Sequence, residues 1–280
     1  DFNLTATEIG NLDNGSYNSL TIGASGNTGA VDINNITFEG NTTIYGGAMA
    51  LETITATNKN VTLSTANGGS ITDATGDTTD NFTLGNGILT LSTSPSGDIG
   101  ATDNYIDINT TGQINISAPG MTRGAYINSK AATTNLGTVT TATGPPGYFY
   151  LTAAGDVTQS GAITTCMMYI TSSGSVDIST QDNYVWGLYS CTIGDDFNYY
   201  NTYPAGINIY GPIDTSSSNG SITLDAGARP LNTNNQSITA GAGEITLIGD
   251  SISLGTTADK ISTTGSIVLK PTTTSCTCLL

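Results

Sequence analysis

Four groups of side chains in this 280-residue chain have types and spacing that bear on chemistry. The stretch TDATGDTTDN (72–81) gathers Asp73, Asp77 and Asp80, hard oxygen ligands close enough to hold calcium. It follows neither the EF-hand loop nor the glycine-rich calcium nonapeptide, so the expectation is a plain acidic turn, with calcium the one possible cofactor. Asp195-Asp196 offers a carboxylate pair, and hydrolysis of a glycoside needs two carboxyl groups at a set separation. The chain has no His, and no Arg or Lys stands near this pair in sequence. The rest of a polysaccharide-cleaving site is missing, and no catalytic residue is assigned.

Cysteines form the third group: Cys166, Cys191, Cys276 and Cys278. Outside the cytosol an even count permits two disulfides. Zinc fits poorly, because without His a site would need all four thiolates, two of them in a tight C-x-C. Aromatics form the fourth. Tyr148 to Tyr210 contains nine of the 13 tyrosines and the single tryptophan. Tyr184, Trp186, Tyr189, Tyr199, Tyr200 and Tyr203 read as a contact surface for carbohydrate or for another subunit, since such rings are rigid and amphipathic. The plainer reading is that they pack over one face of the molecule.

The elements that must position these groups are short and repeated. GSITLDA (220–226) and GEITLIG (243–249) share one phrase, and GSIVL (265–269) follows. GDVTQS (155–160) and GSVDIS (174–179), then KNVTLST (59–65), GILTLST (87–93) and GQINISA (112–118), repeat the pulse, and most of these units read Gly-polar-apolar-polar-apolar. Alternation at period two marks a strand with one buried face. Gly, Asn and Asp between pulses are turn residues. Repetition every 20–30 residues is the signature of a solenoid. Three pulses per period predict a three-sided coil, with Ile222, Ile245 and Ile267 in one inward ladder. At about 22 residues per coil the chain makes about 12 coils. Within that frame the 25 residues between Cys166 and Cys191 approximate one coil, which makes them the expected disulfide. Cys276 and Cys278 are left to pair with another chain. The irregular stretch 181–205 is expected to leave the wall as an aromatic-rich loop or insertion in a single solenoid domain. LTATEIGNL (4–12) has capping-box spacing and predicts one short helical plug.

Composition narrows the function classes. Only 10% of residues are charged, and the net charge is -16 with six basic residues. Phosphate binding needs a Lys/Arg footprint, so nucleic acid and anionic membrane surfaces are excluded as partners. No apolar run is long enough to insert into a membrane as a helix. Ten Asn-x-Ser/Thr sequons occur, a number that a chain rich in Asn and Thr produces largely by chance.

The opening LTATEIGNLDNGSYNSLTIGASGNTGAVDINNITFEGNTTIYGG, with the later GSITLDAGA and GEITLIG, resembles the repeats of filamentous-haemagglutinin-like proteins. The resemblance implies an all-β, right-handed parallel β-helix that is exported to the extracellular space or cell surface. It also implies a structural or adhesive role in a surface fibre or layer. Bare strand edges at a solenoid's ends predict a homo-oligomer joined head to tail into a filament. The competing expectations are a carbohydrate-binding module built on the aromatics of 184–210 and, third, a polysaccharide-active enzyme.

Overall fold

The structure, a computed structural model, describes residues 17–76, 78–258 and 260–272. Among these there is no helix, and 29 strands follow one another in chain order. The strands stack on three walls. The first wall begins at Ser19–Ile22 and continues through Asn41–Gly46, Val61–Thr65 and Leu89–Ser92 to Ile267–Lys270. Eleven successive parallel pairings join its twelve strands. The chain is therefore a parallel β-helix of eleven turns in its described part, roughly 53 Å long at strand spacing. The second wall starts at Val31–Ile33 and the third at Ile36–Thr37.

The expected ladder is present. Ile222 faces Ile245, and Ile245 faces Ile267. Ile222 and Ile245 are fully buried, as are Leu224 and Leu247 in the parallel column. Each such side chain stabilises the stack by about 1.5–3 kcal/mol. At the other end, Ile22, Ile44, Leu63, Leu91 and Ile116 make the equivalent column.

The glycine that opens most of these phrases has a steric cause. A Cβ on Gly112 would lie 2.1 Å from the carbonyl oxygen of Gly87, and one on Gly243 would lie 2.2 Å from that of Gly220. At this corner the backbone of each coil rests directly on the coil below, and no side chain fits between them. The abundance of Asn has a hydrogen-bonding cause. The side-chain oxygens of Asn41, Asn60, Asn115, Asn219 and Asn235 accept the backbone N–H of Asn60, Ile88, Thr138, Ala242 and Thr256, at 2.7–3.0 Å. Each bond ties one coil to the next where the chain leaves the ladder and its amides would otherwise be unpaired. All five head sequons, so the sequons coincide with coil staples. Asn81, another sequon, is buried.

Coil length is not constant. Along the first wall it runs from 19 residues, Thr42 to Val61, to 28, Val61 to Leu89. The stretch 181–205 departs from the expected loop. Tyr184–Ile193 is a ten-residue strand and Phe197–Tyr200 another, each paired with the preceding coil. Inward Val185, Leu188, Cys191 and Ile193 bury this segment as firmly as Ile-x-Leu does elsewhere. The expected helical turn at 4–12 lies outside the described residues.

Candidate functional site

Four long strands create the most distinctive surface. Gly124–Ser129, Tyr148–Ala153, Ile163–Ser172 and Tyr184–Ile193 run from the second wall into the third without a break. Their inward side chains extend the core: Ile127, Leu151, Ile170 and Cys191 face one another in sequence. Their outward side chains include Tyr126, Tyr150 and Tyr169 as direct partners. A register shift after Met168 adds one residue to the last strand, and that residue, Tyr189, completes the column.

The rings stack. Centroids are 4.5 Å apart from Tyr126 to Tyr150, 4.1 Å to Tyr169 and 4.8 Å to Tyr189, while Tyr105 meets Tyr126 edge to face at 5.7 Å. Such contacts each add about 0.5–1.5 kcal/mol beyond burial. Burial raises the pKa of the Tyr105, Tyr150 and Tyr169 hydroxyls, so these phenols remain protonated at neutral pH. None of the four long strands contains a charged residue.

Of the aromatics expected from the sequence, Tyr184, Trp186 and Tyr189 lie on this face. Tyr184 meets Tyr203 edge to face at 4.9 Å, and Trp186 stacks on Tyr210 at 5.3 Å. Two do not belong. Tyr199 stands in the inward ladder between Ile178 and Leu224 and is 1% exposed. Its hydroxyl has no hydrogen-bond partner among the described residues, and its pKa is pushed far up by burial. Tyr200 is on the first wall, partnered with Asp225. Tyr105 and Tyr126 lie outside the tyrosine-rich stretch, and Tyr148, Tyr150 and Tyr169 inside it are not among the six expected contact residues, yet the column 105, 126, 150, 169, 189 repeats at coil spacing.

The acidic residues serve the fold. The Asp73 carboxylate accepts from Thr75 N–H and Oγ1, Gly76 N–H and Asn81 Nδ2, at 2.9–3.1 Å. Asp80 turns elsewhere, to Asn109 and to Lys130 at 3.1 Å. Asp77 lies outside the described residues. No group of three or more His, Cys, Asp or Glu placed to hold a metal occurs among the described residues. Lys130 itself sits among oxygens, also reaching Asp107 at 3.4 Å and the Thr78 carbonyl. Asp195 and Asp196 tie coils together, accepting from Ser175 Oγ and Ser221 N–H. The position just before the inward ladder reads Asp156, Ser175, Asp196, Ser221, Glu244, Ser266. Its carboxylates are thereby two coils apart, about 9.6 Å instead of about 4.8 Å, near the screening length in physiological salt.

The expected Cys166–Cys191 disulfide is absent: both are free, buried thiols. Cys191 faces Ile170, while Cys166 lies opposite the stretch Val185–Gly187. Local coils are 20–21 residues long (Thr165 to Val185, Ile170 to Cys191), so a 25-residue separation overshoots. The offset is roughly 13 Å along the strand, against the roughly 7 Å a disulfide tolerates. Cys276 and Cys278 lie outside the described residues. Burial pushes the Cys191 thiol up to about 12 and raises Cys166 as well. Iodoacetamide should therefore leave Cys191 unmodified in the native protein and label it once urea unfolds the chain. Peptide mapping that finds Cys191 alkylated without denaturant would contradict this placement.

No family model matches the chain, and no curated protein or solved structure matches it either.

Proposed function

We propose that this chain is a structural β-solenoid of a cell-surface or extracellular fibre, lengthened by head-to-tail contact between copies. The observation that supports this reading is the state of the last described coil. Its strands Ile261–Ser262 and Ile267–Lys270 pair with the coil before them, and no later strand covers them among the described residues. Ile267 is 47% exposed, whereas Ile245, one coil inward in the same column, is fully buried. Among the described residues this apolar column stops beside strand edges without a partner, a surface that favours addition of another strand layer. A heterologous contact of this kind repeats without closing. The acidic remainder of the surface opposes sideways clumping. The resemblance to exported repeat proteins supports the location.

Sedimentation velocity over rising concentration should show species that grow in steps of one rod, seen as end-to-end particles in negative stain. Ile267→Lys should stop that growth and leave the melting temperature of the single rod within a few degrees. A parent protein that stays monomeric at the highest concentration would refute the assembly.

A further inference from the structure

We propose that the groove beside the tyrosine stack is a binding site for a neutral glycan, which the ring edges and hydroxyls hold by hydrogen bonds. The groove is shallow, about 190 Å³, and is lined by Tyr105, Tyr150, Tyr169, Thr152, Thr171 and Ser190, with Leu151 contributing at its base. Every one of these side chains except leucine carries a hydroxyl, a group that both donates and accepts. A sugar presents the same mixed pattern on its rim and apolar C–H groups on its ring.

Three observations select this occupant. First, the strands bearing the face hold no charged side chain to pair with an ionic ligand, and in a chain of net charge -16 an anion is repelled by the surroundings. Second, the face is small. Four strands span about 19 Å and the longest has ten residues, which gives about 600 Å² at most. A stable protein interface needs about 800 Å² on each side, so a second copy fits this face less well than a chain-like small ligand does. Third, the stack is pre-ordered. Tyr150 and Tyr169 are stacked face to face, with ring centroids 4.1 Å apart, so little side-chain entropy remains to be lost on binding. The ring faces within the column are already covered by one another. The contacts left for a ligand are edges and hydroxyls, which distinguishes this site from a flat stacking platform.

The test is calorimetric titration of the intact protein with neutral hexasaccharides (malto-, cello- and manno-hexaose) and with oligogalacturonate as the anionic comparison. At least one neutral oligosaccharide should saturate the protein. Tyr169→Phe and Thr171→Val, which keep shape and remove one hydroxyl each, should weaken it roughly three- to tenfold apiece with unchanged melting temperature. Failure of all three neutral sugars at millimolar concentration overturns the proposal. So does equal or tighter binding of oligogalacturonate, or an affinity that neither variant changes. Dimerisation that Tyr189→Ser abolishes would assign the face to a second copy instead. None of these results depends on assembly at the rod's ends.

Discussion

Replacing Ile245 with Asp should destabilise the rod by about 4 kcal/mol or more, because a carboxylate would enter a fully buried apolar column. Ile245 is fully buried between Ile222 and Ile267. The matching control is Thr223→Asp, one residue along from Ile222 on the outward side and half-buried. It adds the same charge and should cost less than about 1 kcal/mol. The contrast reads out the register directly, since a slip of one residue would exchange the two outcomes. The new carboxyl would have a raised pKa, so the penalty is complete at neutral pH and is partly relieved in acid. Urea melts of the three proteins decide the matter. An Ile245→Asp variant that unfolds with the parent would mean that the first wall is misregistered.

Lys130→Met should be the second large effect, about 3 kcal/mol at neutral pH, the low end for breaking a buried pair because the lysine is a quarter exposed. The loss comes from what remains. Asp107 is 3% exposed, its carboxyl bonded by Asn128 and Lys130, and Asp73 adds a second negative charge nearby. Burial already raises the Asp107 pKa against the opposing pull of Asn128 and Lys130. Taking away the ammonium raises it further. A carboxyl whose folded pKa exceeds its unfolded value lowers stability fully above the folded value, and that cost disappears as pH falls towards the unfolded value near 3.8. The variant's deficit should therefore shrink as pH is lowered from 7 towards 4. Thermal melts that show the same deficit at both ends of that range would locate the effect in lost packing of the lysine stem.

Much of the architecture was legible in the order Gly-polar-Ile-polar-Leu, because that order encodes a corner that excludes a side chain and a strand with one buried face. The ladder Ile222, Ile245, Ile267 follows from it directly. What escaped is set by coil length, which varies between corners while the strands keep register. A mean of 22 residues gives no warning that the coils around Cys166 are shorter, and the disulfide expectation fails for that reason. The segment 184–193 looks irregular because the extra residue at Tyr189 reverses the in-out alternation halfway along the strand. Tyr199 reads with the surface aromatics since phenols normally keep their hydroxyl wet or bonded, and here the hydroxyl is neither. The tyrosine column is visible in principle: Tyr105, Tyr126, Tyr150, Tyr169 and Tyr189 recur at intervals of 19–24 residues.

The stacked corners also determine how such a rod bears load. Tension between its two ends is carried across the coils, through the ladder bonds and the asparagine staples, and never along a continuous covalent line until a coil has come away. The weakest element under pull is then the outermost coil, whose release exposes the next without disturbing those further in. Each release frees 19–28 residues, roughly 65–95 Å of slack at full extension, in exchange for about 5 Å of rod. A tether built this way lengthens by more than ten times the height of each layer it sacrifices and keeps the remaining layers intact. It dissipates a sudden tug stepwise instead of failing at once, and its uneven coil lengths make the steps unequal in size.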